Sequence, residues 1–84
     1  MRYLTFFNVV TNDRIDIYNS MFGKETVYHN GNKVSEVKSF WGGRHNFTVI
    51  EAGDEAAYQI KIAYRLNLGI GFDVFRNGKA LLLS

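Results

Sequence analysis

The stretch Tyr58-Gln59-Ile60-Lys61-Ile62-Ala63-Tyr64-Arg65 decides the fold class. Tyr58, Ile60, Ile62 and Tyr64 fall on one side, and Gln59, Lys61, Ala63 and Arg65 on the other. A strand turns successive side chains to opposite faces, so this period of two describes a half-buried β-strand. Asp54-Glu55-Ala56-Ala57 just upstream would suit a helix start. From Tyr58 onward, however, β-branched and aromatic residues dominate, and strands accept these best. Ile70, Phe72 and Val74 alternate with Gly71, Asp73 and Phe75, and Ile15 and Ile17 with Arg14, Asp16 and Tyr18.

Turn signals separate these runs at short intervals. Asn30-Gly31 and Asn77-Gly78 sit between β-rich segments, and Asn-Gly supplies the two positive-φ residues of a type I′ hairpin. Asn12-Asp13, Phe22-Gly23-Lys24, Gly42-Gly43, Ala52-Gly53-Asp54-Glu55 and Asn67-Leu68-Gly69 mark the other turns. Strands are expected near 3–11, 14–21, 24–29, 33–40, 45–51, 56–66, 70–76 and 79–83. Short turns force consecutive strands to run antiparallel. The expectation is an all-β chain, a compact antiparallel β-sandwich of about eight strands spanning residues 1–84 as one domain. A small, partly open β-barrel is the second choice. Val27-Tyr28-His29-Asn30-Gly31-Asn32-Lys33-Val34 is similar to Val74-Phe75-Arg76-Asn77-Gly78-Lys79-Ala80-Leu81. Shared hairpin chemistry is the simpler explanation of this likeness, and pseudo-symmetry between two four-strand halves is the alternative.

Composition bounds the rest. The chain has 84 residues, 46% of them hydrophobic and 21% charged, which is too apolar for disorder. Seven Phe, five Tyr and one Trp can fill a small core, which argues against a deep internal pocket as well. The absence of Cys excludes disulfides, thiolate metal sites and Cys nucleophiles. A net charge of +2 is too small a footprint for nonspecific nucleic-acid binding, although Lys61, Arg65, Arg76 and Lys79 are basic and neighbour aromatics. The apolar run from Met1 to Val10 is broken by Asn8 and is too short for a leader or a membrane span, so a cytoplasmic location is expected.

From Arg14 onward the order of motifs resembles the β-sandwich domain of the Fas apoptotic inhibitory molecule family. The residues that carry the likeness are Ile15-Asp16-Ile17, Gly23-Lys24, Val27-Tyr28-His29-Asn30-Gly31, Lys38-Ser39-Phe40, Gly43, Tyr58-Gln59-Ile60, Gly71-Phe72 and Phe75-Arg76-Asn77-Gly78-Lys79. They cover most of residues 14–83. The resemblance implies an eight-stranded, non-enzymatic module that acts through protein contacts, in a family associated with survival signalling and protection against protein aggregation. This chain carries one such domain where the animal members carry two.

Few residues invite catalytic chemistry. His29 and His45 are far apart in sequence and are expected at the surface or at strand ends. No HxH or HxxxH spacing offers a metal site, and no cofactor is expected. None of Ser20, Ser35, Ser39 and Ser84 lies in GxSxG or has a His placed beside it by sequence. Asp54 and Glu55 read as turn residues, and Asp16 and Asp73 as outward-facing on strands. Gly69-Ile70-Gly71 lacks the third glycine and the helix of a phosphate loop.

The candidate binding loop is Phe40-Trp41-Gly42-Gly43-Arg44-His45-Asn46-Phe47, with Trp41, Arg44 and His45 as its contact residues, because Trp and Arg are enriched at binding hot spots. A Trp41 that merely plugs one end of the fold is the alternative. The apolar C-terminal run Ala80-Leu81-Leu82-Leu83 would invite pairing with a second chain if it formed a bare edge, which raises homodimerisation. The sequence thus points to a non-enzymatic module that binds an unidentified protein partner, without membrane or nucleic acid. Binding of a small ligand, lipid or glycan on an aromatic surface is the alternative.

Overall fold

The computed structural model describes residues 2–8, 12–20, 23–39, 42–65 and 69–83. The strands are β1 (Arg2–Asn8), β2 (Asp13–Asn19), β3 (Lys24–His29), β4 (Asn32–Lys38), β5 (Arg44–Glu51), β6 (Asp54–Arg65), β7 (Gly69–Arg76) and β8 (Lys79–Leu83). They form two antiparallel sheets, ordered β1-β2-β3-β4 and β5-β6-β7-β8. Within each sheet every strand pairs with its neighbour in the chain, as the short turns require. Among the described residues no strand pairing links the sheets, so they do not close into a barrel. Parts of the expected strands, at 9–11, 21, 40 and 66, lie outside the described residues.

One core joins the inner faces. Ile15, Ile17 and Val27 of the first sheet cluster with Ala56, Tyr58, Ile60, Ile62 and Val74 of the second, and Phe47, Val49, Phe72 and Leu82 pack against them. Phe47 stacks on Tyr58 with ring centroids 5.2 Å apart. Each fully buried Ile or Val contributes about 1.5–3 kcal/mol. The radius of gyration, 12.5 Å, is near the ~12 Å of a compact chain of this length.

The two sheets repeat one another beyond their Asn-Gly turns. Asn30 accepts a hydrogen bond on Oδ1 from the Arg14 N–H at 2.8 Å and donates its own N–H to the Arg14 carbonyl at 2.9 Å. Asn77 makes the same pair of bonds to Ala57, at 2.9 and 2.7 Å. Ile17 lies opposite Val27, as Ile60 lies opposite Val74. A register shift follows Val27 in one hairpin and Val74 in the other. Hairpin chemistry explains the turns, but it does not require the Asn side chain to reach a third strand. The pseudo-symmetric reading of the halves therefore describes the structure better than hairpin likeness alone.

The halves are joined through a segment that includes Ser39, Gly42 and Gly43. Gly42 has φ 103°, and a Cβ there would fall on the Ile62 carbonyl oxygen. A Cβ on Gly43 would meet Glu25 Oε1 at 2.7 Å and Val37 Cγ1 at 3.0 Å. The Ile62 N–H donates to the Gly43 carbonyl at 2.8 Å, and the Ser39 N–H to the Gly23 carbonyl at 2.7 Å. The glycines thus permit a tight crossing between sheets.

Two stability changes are expected. Gly42→Ala costs about 3 kcal/mol in urea unfolding, well above the ~1 kcal/mol cost at Gly53, which also has positive φ but open space around it. Ala52 holds φ 52° at the β5–β6 turn, a conformation that costs an L-residue other than Asn or Asp about 1–2 kcal/mol, so Ala52→Asn raises stability by about 0.5–1 kcal/mol.

Candidate functional site

Polar chemistry gathers in three places. The first lies at the end of the fold that carries both Asn-Gly turns. Asp13 opens β2, His29 closes β3 and Glu51 closes β5, so three strand ends bring these side chains together. His29 Nε2 lies 3.1 Å from Asp13 Oδ1 and 3.1 Å from Glu51 Oε2. Glu51 also accepts hydrogen bonds from the Tyr58 hydroxyl at 2.6 Å and from Arg76 Nε at 2.7 Å. Asn30 Nδ2 donates to Asp13 Oδ1 at 2.8 Å. Burial, reinforced by the Glu51 carboxylate, raises the Tyr58 hydroxyl well above its ordinary range, which keeps it a neutral donor. The hydrogen bond to Glu51 likewise raises Arg76 and holds its charge. These side chains include the types that bind borderline metal ions.

The second cluster lies deeper between the sheets. Ser35 Oγ is 2.7 Å from His45 Nδ1, and Glu25 Oε1 is 3.3 Å from His45 Nε2. His45 and Glu25 are fully buried. Burial holds His45 below its ordinary value of 6.5, which favours the neutral ring. A neutral ring protonated on Nε2 donates to Glu25 and accepts from the Ser35 hydroxyl, which satisfies both nitrogens. Ser, His and Glu side by side suggest a nucleophile with its base. Together these contacts tie β3 and β4 of the first sheet to β5 of the second.

The third place is the outer face of the first sheet. A groove of about 430 Å³ is lined by Arg14, Asp16, Tyr18, Asn19, Ser20, Lys24, Thr26, Tyr28 and Gly31. Tyr18 and Tyr28 meet edge to face at 5.4 Å, and Tyr18 is 37% exposed. Asp16 points outward, as the alternation requires, yet it is only 4% exposed. Thr5 Oγ1 donates to it at 2.7 Å and Arg14 Nε pairs with it at 2.8 Å. Lys24 pairs with Glu36 at 3.3 Å.

The residues singled out from sequence fare differently. Trp41 lies outside the described residues. Arg44 is exposed at the start of β5, opposite Lys61. His45, next to it, faces the interior; both histidines lie at strand ends, one of the two expected placements, but both are buried rather than at the surface. The reason is strand parity. Phe47 and Val49 face the core, so His45 and Glu51, at matching positions of β5, face it too. β8 is the outermost strand of the second sheet, with Leu83 63% and Leu81 38% exposed. No helix among the described residues is long and apolar enough to cross a membrane.

No protein-family model, curated protein or solved structure matches the chain.

The buried pairs make stability depend on acidity. The unfolded chain protonates its histidines near 6.5, whereas folded His45 resists until lower pH. Its contribution is complete above 6.5 and is lost as pH falls below that value. Urea midpoints measured from about pH 7 down to about 5 therefore decline, and His45→Gln flattens that part of the decline. Glu51→Gln leaves Arg76 and His29 without their buried carboxylate and lowers stability by about 3 kcal/mol by the same assay at neutral pH.

Proposed function

We propose that the chain is a non-catalytic β-sandwich binding module that takes a short extended segment of a partner protein on the outer face of its first sheet. The observation that supports this reading is the groove along β2 and β3, where the Tyr18–Tyr28 pair lies between the exposed cations Arg14 and Lys24. Tyr and Arg dominate binding hot spots because each offers a large, stiff contact area with a polar end. Four strands of this length cover on the order of 400 Å², about half of the ~800 Å² that each partner contributes to a standard interface. A few residues of extended chain fit that area better than a folded domain. Asp16 engages Nε of the Arg14 guanidinium, and a guanidinium has five N–H donors in all, so an acidic side chain in the segment is favoured.

The resemblance to the Fas apoptotic inhibitory molecule family belongs to the same proposal, as does a cytoplasmic setting, and both agree with action through protein contacts. Self-pairing of β8 is a further contact this reading accommodates, and a monomer by light scattering at high concentration would remove it. The groove volume also lies in the range of small-ligand sites, about 300–1,000 Å³. That supports the second reading, a small ligand or glycan ring laid against the tyrosines.

Display of random peptides to the immobilised domain separates the two. Enrichment of acidic peptides is expected, with affinity that falls as salt rises and drops roughly tenfold or more in Tyr18→Ser/Lys24→Gln. Trp41→Ala/Arg44→Ala, measured beside it, tests the loop suggested by the sequence. If no peptide is enriched and a sugar or small molecule raises the melting temperature, the second reading replaces the first.

A further inference from the structure

We propose that Asp13, His29 and Glu51 form a binding site for one divalent transition-metal ion, with Zn²⁺ the best match. This site is separate from the outer-face groove and independent of its reading.

The first argument is convergence. Three side chains from three strands and both sheets bring one nitrogen and two carboxylate oxygens within 4.8 Å of one another. The two N···O separations are 3.1 Å. An ion with bonds of about 2.0–2.2 Å holds neighbouring ligand atoms about 3.0–3.5 Å apart. Two edges of the ligand triangle already have that length.

The second argument is the donor set. One imidazole nitrogen with two carboxylate oxygens suits a borderline ion better than Mg²⁺ or Ca²⁺, which take oxygen alone. Each carboxylate is also held by protein donors, Asp13 Oδ1 by Asn30, Glu51 Oε2 by the Tyr58 hydroxyl and Glu51 Oε1 by Arg76. Such supporting bonds are the usual company of metal ligands.

The third argument is access. The Asp13 and His29 side chains are each 9% exposed and Glu51 not at all. An ion would therefore arrive from the Asp13–His29 side, where water can complete its coordination.

The test uses untagged, chelator-treated protein. Zn²⁺ should bind with one-to-one stoichiometry by calorimetry. It should raise the melting temperature by on the order of 10 °C at a hundredfold excess over Kd, with Mg²⁺ inert. Co²⁺ should give the visible d–d bands of a low-symmetry protein site. His29→Gln should weaken binding roughly 100-fold or more, while His45→Gln, at the other buried histidine, should leave it unchanged. Absence of both the Co²⁺ bands and the Zn²⁺ shift in the wild-type chain overturns the proposal and leaves a hydrogen-bonded structural cluster. Unchanged binding in a folded His29→Gln chain overturns it equally. If His29→Gln does not fold, the wild-type Co²⁺ spectrum decides alone.

Discussion

A carboxylate taken out of water without partners costs more than a small domain can spare, and Glu51 is 2% exposed. It is tolerated because three donors meet it: Tyr58 on β6, Arg76 on β7 and His29 on β3 of the opposite sheet. The first two hold the second sheet's own strands in register. The third ties that sheet to the first. Removing any donor leaves the charge under-solvated, so the three are interdependent, and the way the sheets meet depends on satisfying this one group.

The same device recurs deeper in the core with its polarity reversed. There the first sheet supplies the acid, Glu25, and the second supplies the histidine, His45. β3 contributes Glu25 and His29 on either side of Val27, and β5 contributes His45 and Glu51 on either side of Phe47 and Val49. Apolar contact holds the middle of the two inner faces together, and acid–histidine contacts flank it. Apolar burial is indifferent to a small slide of one sheet over the other. Two oppositely oriented acid–histidine pairs are not, because a slide would separate both.

The sheets themselves were legible in the sequence because alternation and turn chemistry are local. Tyr58-Gln59-Ile60-Lys61-Ile62 shows which side is apolar, and Asn30-Gly31 shows where the chain reverses. The polar interior was harder to read. In Glu25-Thr26-Val27-Tyr28-His29, alternation offers two faces, and the one holding Thr26 and Tyr28 avoids burying charge. The fold buries the other, since each of its charged groups finds a partner more than fifteen residues away in sequence. In β5 the signal was present, because Phe47 and Val49 fix the parity of His45 and Glu51. The meeting of Asp13, His29 and Glu51 has no counterpart in spacing, because the three lie on different strands. The outer groove depends on how Tyr18 and Tyr28 lean across two strands, which periodicity does not encode.

The repeated halves bear on how the chain reaches this state. Within each meander every pairing is between chain neighbours, and hairpins of that kind form in about 1–10 μs. Bringing the halves together is a separate docking event, which sets His29 against Glu51 and Glu25 against His45 across the sheets. That event must also dehydrate Glu25, Glu51 and their histidines. A half that has formed its sheet but not found its mate carries an apolar face with charges set into it, which water still solvates. The buried pairs that hold the finished protein together thus also help keep its unjoined halves soluble.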